Sequence, residues 1–253
     1  MKGIAFLLLK GGIGKTTSAT NFAYILGEKK NKKVLLIDLD QQGNTTQLFG
    51  CDDDSQYTLS DLLVNEDIDI REVIQKTRYK NIDVIGSDAS LIKANQEVLL
   101  DTETPQQERL SKHLDKVKDD YDFCIFDCPT ATTMSTLNAL MNTDDVICPI
   151  KIDKYAFDAV SKSLQLINDM KQFNPRLRYA GAFVTMYQNT ALCNEGVNQL
   201  ASAPMIKLFD AKIRSTTKVG ESTYYAPLVD YAPRSTASED YIKLVNEYLR
   251  RNK

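Results

Sequence analysis

The feature that most constrains this chain is a glycine-rich segment close to its start. An apolar run at residues 4–9 precedes this segment, and a helical pattern follows it. The segment itself, residues 10–17, reads KGGIGKTT. A strand-to-helix turn directs consecutive backbone N–H groups and the positive end of a helix at one point. Glycine tolerates positive φ and lets the backbone approach a phosphate closely, so this segment predicts a nucleotide-phosphate site.

The side chains in this segment have distinct expected roles. Lys15 can reach the β- and γ-phosphates of a nucleotide, and the Thr16 hydroxyl can ligate Mg²⁺. Leu9 stands where the standard motif G-x-x-x-x-G-K-[ST] has its first glycine, and Lys10 follows it. Lys10 would crowd Lys15 unless it points elsewhere or meets charge from outside the chain. The remaining expected nucleotide contacts are Gly11, Gly12, Ile13, Gly14 and Thr17.

Short apolar runs alternate with longer helical patterns along the whole chain. This alternation predicts an α/β fold with a mostly parallel twisted sheet and helices on both faces. Helices are expected after residues 16, 59, 89, 105, 133, 155, 190 and 238. The expected strands are residues 3–9, 33–38, 82–85, 123–127, 145–150 and 179–185, with a shorter one at 207–210.

Composition, net charge and the absence of long apolar runs limit the classes of protein to which this chain can belong. The chain has 253 residues, of which 43% are hydrophobic and 26% charged, and these values are ordinary for a globular domain. Its formal net charge is −3, so any DNA contact must come from a local basic patch. Five scattered cysteines favour a reducing compartment. Because no secretory signal and no run of about 18 apolar residues is present, we expect a cytoplasmic protein.

Residues 10–17 resemble the deviant Walker A box, KGGxGKTT, of the ParA/MinD family of ATPases. The resemblance covers nearly the whole chain and is strongest to the ParA/Soj-type DNA partition proteins. It implies one SIMIBI-type P-loop ATPase domain over residues 1–253 that uses ATP and Mg²⁺. In this family the lysine that corresponds to Lys10 reaches the nucleotide of the partner subunit, so the resemblance implies a homodimer in the ATP state. No helix-turn-helix extension precedes the loop, and we therefore expect no operator binding.

Three aspartates follow apolar runs and belong to the same expected site. Ligands of such sheets bind at the carboxyl ends of the strands, so Asp38 and Asp40 should flank the phosphates. Asp38 can order the waters of Mg²⁺, although it could also serve only to cap the strand. Asp127 ends a run with the Walker B pattern and would hold Mg²⁺ through a water. The segment from Asp38 to Asn44 resembles the family's D-x-D-P-Q-G-N box, which implies that Asp40 positions the attacking water.

Later segments resemble the family less completely. Thr130 replaces the second proline of D-x-P-P, and Gln188 and Asn189 stand near the place where the family carries an arginine. The resemblance places the adenine near Met186, Ile213 and Arg214. For the basic residues, ordinary solvated charge is the alternative to DNA binding. The acidic run at residues 52–54 could form a metal site, but consecutive carboxylates at a loop tip favour ordinary solvation. The DNA-binding candidates are Lys212, Arg214, Lys218, Arg250 and Arg251, with Lys253 as an addition.

These patterns favour a ParA-type ATPase for the partition of plasmid, chromosome or mobile-element DNA. Such an ATPase would bind DNA without sequence preference, and a ParB-like centromere-binding protein would stimulate its hydrolysis. The alternative is a MinD-like ATPase that associates with a membrane, while a metal-cluster carrier or a biosynthetic ligase has no supporting motif. We expect no membrane binding, because the last helix should pack its apolar stripe on the domain. That stripe consists of Tyr241, Leu244, Val245, Tyr248 and Leu249.

Overall fold

The structure, a computed structural model, describes residues 1–53 and 56–252. Asp54 of the acidic run and Lys253 of the basic candidates lie outside the described residues. The described chain forms an α/β fold, with a central sheet and helices on both of its faces.

An eight-stranded sheet forms the centre of the described chain, in the order β3-β4-β2-β5-β1-β6-β7-β8. All strand pairs are parallel except β3–β4. Each predicted strand is present, but β3 was missed because two residues show no alternation. The strands are β1 (Lys2–Phe6), β2 (Val34–Asp38), β3 (Gln75–Lys76), β4 (Ile82–Ile85), β5 (Phe123–Asp127), β6 (Asp145–Lys151), β7 (Arg178–Tyr187) and β8 (Leu208–Arg214).

Every predicted helical stretch contains a helix, and four short helices were not predicted: α2, α4, α10 and α11. Each of these has only four to six residues, too few to show a helical period. A π-helical turn, Ile25–Lys29, extends α1, and a 3₁₀ turn, Gln106–Glu108, precedes α6. The helices are α1 (Lys15–Tyr24), α2 (Asn44–Leu48), α3 (Leu59–Val64), α4 (Ile70–Val73), α5 (Leu91–Leu100), α6 (Arg109–Leu114), α7 (Met134–Met141), α8 (Ala156–Met170), α9 (Ala191–Ser202), α10 (Thr217–Ser222), α11 (Leu228–Tyr231) and α12 (Thr236–Arg251).

The sheet separates two hydrophobic cores. Ile4 and Phe6 of β1 point into one core with α1, α11 and α12, whereas Ala5 points into the other with α3 and α5 to α9. Because successive side chains of a strand alternate between faces, a strand that is buried on both sides must be apolar throughout. This is the physical reason why the strands were readable as short apolar runs.

The carboxyl ends of the central strands meet at one edge of the sheet. Asp38 at the end of β2 and Asp127 at the end of β5 are register partners, and Phe6 at the end of β1 pairs with Asp127. The β1 strand ends three residues earlier than predicted, because residues 7–9 already lead into the glycine-rich loop. The aspartates and the loop are therefore brought together by strand register alone.

The apolar stripe of α12 packs on the sheet, as predicted. Tyr241, Leu244, Val245 and Tyr248 are all buried in the core that α12 shares with α1. The ring of Tyr248 meets the ring of Phe22 edge-on at 5.4 Å. In the described part of the chain, no helix combines the length and the apolar character that crossing a bilayer requires.

We predict that Leu244→Ala destabilises the fold by about 2–5 kcal/mol, because it leaves a cavity in a fully buried position. Urea unfolding of the variant measures this loss. Asn246→Ala, on the exposed side of the same helix, is the matched control and should have little effect. Equal stability of the Leu244 variant and the wild type would contradict the packing of α12 on the core.

Candidate nucleotide site

The loop between β1 and α1 has the backbone geometry of an anion cradle. Gly12 and Gly14 have φ values of +67° and +83°, in the left-handed region that residues with a Cβ rarely adopt. Gly14 directly precedes α1. Within the described chain, the backbone N–H groups of residues 11–17 donate to no protein acceptor. These N–H groups are therefore free to bind a phosphate at the positive end of α1.

Lys15 lies inside this cradle. Its side chain is buried, and its Nζ donates to the backbone carbonyl of Lys10 at 2.9 Å. Burial lowers the pKa of Lys15, while the charges of Asp127 and Asp40 act in the opposite direction. The amine is thus a positive charge held in a partly desolvated site beside two carboxylates.

Asp127 has the features of a residue that faces a metal ion. Burial raises the pKa of Asp127, and the charge of nearby Asp38 raises it further. Its Oδ2 accepts a hydrogen bond of 2.8 Å from Thr45, but within the described residues its buried Oδ1 has no partner. The Thr16 hydroxyl is close enough to lower the same pKa. A buried carboxylate with a free oxygen beside a hydroxyl fits Mg²⁺, which prefers oxygen ligands.

Asp38 is occupied by protein donors. Its Oδ2 accepts from the backbone N–H and the hydroxyl of Thr46 at 2.9 and 2.8 Å, and its Oδ1 accepts from the N–H of Asp40 at 3.1 Å. Burial raises the pKa of Asp38 despite these bonds. The geometry therefore favours a role for Asp38 in anchoring the loop after β2, which goes beyond capping the strand.

Asp40 reaches the site by a turn and not by an extended strand. We expected the two-residue spacing to direct Asp38 and Asp40 to the same side if the strand continued to Asp40, but β2 ends at Asp38. Asp40 is half-buried, accepts the N–H of Gln42 at 3.1 Å and lies near Lys15. Its carboxylate thus borders the phosphate cradle, as the sequence predicted, but for a different reason.

The amine of Lys10 is paired with a residue outside the cradle segment. Its Nζ forms an ion pair with Asp153, which follows β6, and its N–H donates to the carbonyl of Leu8 at 2.7 Å. This placement resolves the expected crowding with Lys15. No local pattern pointed to Asp153, because the pairing joins residues 143 positions apart.

The residues expected near the adenine differ in their exposure. Met186, the last residue but one of β7, has a φ of +51° and is 39% exposed, so a ligand can contact it. Thr185 beside it donates its hydroxyl to the carbonyl of Ile13 at 2.9 Å and ties β7 to the loop. The side chains of Ile13 and Ile213 are both buried in the hydrophobic cores, so a nucleotide would meet these two residues through their backbone atoms.

The basic candidates do not form one patch. Arg214 lies at the end of β8. Its guanidinium donates to both carboxylate oxygens of Asp240, at 2.7 and 2.8 Å. Lys218 pairs with Glu221 at 2.6 Å.

Arg251 pairs with Glu247 and bonds to the carbonyl of Leu208 at the start of β8. A strand of seven residues is roughly 20 Å long, so Arg251, which contacts Leu208, lies far from Arg214 at the other end of β8.

Lys212 and Arg250 differ from the other basic candidates. In the described part of the chain, neither side chain has a carboxylate partner. The Nζ of Lys212 lies 5.2 Å from the centre of the Tyr187 ring, near the carboxyl end of β7. Its charge is therefore available close to the nucleotide site.

Comparison with known proteins places this site in a family. A family model described as an AAA domain matches residues 1–179. The sporulation initiation inhibitor protein Soj of Bacillus subtilis is 32% identical over 250 residues, which cover 97% of both chains. The chromosome-partitioning ATPase Soj of Treponema pallidum is 32% identical over 254 residues, covering 99% of this chain and 98% of that one. The chain belongs to the ParA/MinD family of ATPases.

A solved structure resembles this ParA-type ATPase closely in fold. Cobyrinic acid a,c-diamide synthase of Mycobacterium smegmatis, with a bound ATP analogue and magnesium, has a TM-score of 0.85 and 25% sequence identity. The match covers 99% of this chain and 95% of that one. Sequence reasoning missed Thr45 and Thr46 beside the aspartates, although both hydroxyls directly follow the box that was recognised.

We predict that the affinity of the site for Mg²⁺ falls as the pH is lowered from about 8 to about 6. Because the pKa values of Asp38 and Asp127 are raised, protons compete with the metal at pH values where a free aspartate would be fully ionised. Titration of ADP with and without Mg²⁺ at both pH values measures the effect. The prediction is contradicted if Mg²⁺ raises the affinity for ADP by the same factor at both pH values.

Proposed function

We propose that this ATPase partitions plasmid, chromosome or mobile-element DNA as a single domain that switches with its nucleotide. ATP and Mg²⁺ close a homodimer, and the dimer binds DNA without sequence preference and thereby associates with the nucleoid. A ParB-like centromere-binding protein then stimulates hydrolysis, and the DNA is released. The function named for the Treponema pallidum relative, chromosome partitioning, supports this proposal. The cycle requires only that the ATP and ADP states differ in their affinity for DNA.

The observation that carries the proposal is the position of Lys10. Its amine pairs with Asp153 and with no group of the chain's own phosphate cradle among the described residues, and this ion pair lies at the surface, where Lys10 and Asp153 keep 21% and 33% of their side-chain exposure. A surface ion pair contributes little stability and exchanges readily. Lys10 can therefore leave Asp153 for the phosphates of a second subunit, where a cation offsets charge that would otherwise repel at the interface.

The other residues of the site have roles within each subunit. The N–H groups of residues 11–17 and the amine of Lys15 bind the phosphates. Thr16 and Asp127 would hold Mg²⁺, which would neutralise part of the phosphate charge. Asp40 borders the cradle and orients the attacking water, while Asp38 fixes the loop that carries Asp40.

A DNA contact that depends on the nucleotide should lie near the nucleotide. Lys212, Arg214 and Lys218 are at the carboxyl end of β8 or directly after it, on the edge of the sheet that carries the cradle. Arg250 and Arg251 are at the other end of that strand. Lys212 contributes more to DNA binding than Arg214, because Lys212 has no carboxylate partner among the described residues whereas Arg214 is held by both oxygens of the buried Asp240.

We predict that Lys10→Gln abolishes ATP-dependent dimerisation but preserves ATP binding by the monomer. Light scattering with a non-hydrolysable ATP analogue measures the mass, and calorimetry measures the binding. Asp153→Asn is the matched variant and should still dimerise, because it only releases the amine of Lys10. A Lys10 variant that doubles its mass as the wild type does would refute the role of this lysine.

We predict that Lys212→Gln weakens DNA binding in the ATP state and reduces the salt slope of the affinity by about 1, because one phosphate contact is lost. Arg250→Gln, at the far end of β8, is the control and should leave both unchanged. Fluorescence anisotropy with random-sequence DNA at several salt concentrations provides the measurement. If the Arg250 variant weakened binding as much, the assignment to the carboxyl edge would be wrong.

A further inference from the structure

Helix α2 carries two buried threonines that reach two different strands. Thr45 and Thr46 are 0% and 4% exposed, although the helix has only five residues and its neighbours Asn44 and Gln47 face solvent. Thr46 donates to Asp38, and its hydroxyl also accepts the backbone N–H of Ser87. Both hydrogen bonds of the Thr46 hydroxyl therefore serve to join α2 to Asp38 and Ser87.

The hydroxyl of Thr45 has a different partner and a different consequence. Its Oγ1 donates to Oδ2 of Asp127 at 2.8 Å, and both residues are buried. Because a carboxylate is planar, fixing one oxygen also fixes the direction of the other. The other oxygen of Asp127, Oδ1, is the buried acceptor that has no partner among the described residues. One hydroxyl thus sets the orientation of an acceptor that is free to serve a ligand.

The two carboxylates are distinguished by these contacts. Both oxygens of Asp38 accept hydrogen bonds from the chain, whereas Asp127 keeps one oxygen free. Thr16, the first threonine of α1, also lies beside Asp127. A metal ion associated with the nucleotide would therefore meet Asp127, and it would meet that carboxylate in the orientation that Thr45 imposes.

We propose that Thr45 is a positioning residue for the magnesium site and that it acts by holding Asp127 through the Thr45 Oγ1–Asp127 Oδ2 hydrogen bond. This inference rests on the proposed function of the site in binding Mg²⁺ with a nucleotide. Groups that orient metal-associated ligands typically change metal affinity by about 10–100-fold when they are removed. Among the residues that the structure describes, no hydrogen bond joins the Thr45 hydroxyl to the phosphate cradle, so we expect nucleotide affinity without metal to be independent of it.

The test separates metal binding from nucleotide binding. ADP affinity is measured by calorimetry in EDTA and in excess Mg²⁺, and the ratio of the two affinities reports the metal site. Thr45→Val keeps the shape of the side chain and removes the hydroxyl, while Thr45→Ser keeps the hydroxyl. Thr45→Ala is a second variant without the hydroxyl and covers the case in which the valine variant does not fold.

We expect the valine and alanine variants to lose about 10-fold or more of the Mg²⁺ enhancement, with an unchanged ADP affinity in EDTA. The serine variant should retain the enhancement of the wild type. The inference is overturned if the valine and alanine variants keep the enhancement, or if the serine variant loses it as they do. A wild-type protein that binds ADP equally with and without Mg²⁺ would overturn the proposed function of the site and this inference with it.

Discussion

The structure depends on the placement of two aspartate side chains inside the protein at the edge of the sheet. Asp38 and Asp127 are register partners at the ends of adjacent strands, and both are fully buried. Burying two like charges side by side is unfavourable unless hydrogen bonds or a cation compensate. Lys15, two threonine hydroxyls and backbone N–H groups supply part of that compensation. The negative charge that remains uncompensated would favour the binding of a divalent cation.

This constraint explains why the surrounding elements have their observed form. The loop before α1 bends through two glycines with positive φ, so that Lys15 enters the site from the side of the carboxylates. The loop after β2 folds back through the bonds of Thr46 to Asp38. Each of these two loops thus supplies a cation or hydrogen bonds to the buried carboxylates. Lys10, the other lysine of the loop, takes no part in this compensation and pairs with Asp153 at the surface instead.

Much of the fold could be predicted because the relevant signals are local. A strand buried on both faces must be apolar, and a phosphate loop needs glycines at fixed positions, so the strands and the cradle are legible in the sequence. The aspartates were found because they end apolar runs. Short helices such as α2 were not found, because four to six residues carry no period and their stability comes from tertiary contacts.

The parts that could not be predicted depend on contacts between distant residues. Arg214 was expected on a DNA-binding surface, but Asp240, 26 positions later, binds its guanidinium. Asp153 approaches Lys10 across 143 positions. The sequence shows which residues are charged but not which of them are already paired. Only the three-dimensional structure distinguishes a charge that is available to a partner, such as that of Lys212, from one that is neutralised within the chain.

The most direct test of this account is a crystal structure of the protein with Mg²⁺ and a non-hydrolysable ATP analogue. The account predicts two subunits related by a two-fold axis, with the amine of Lys10 detached from Asp153 and in contact with the phosphates of the other subunit's nucleotide. A nucleotide-bound monomer in which Lys10 still pairs with Asp153 of its own chain would contradict it.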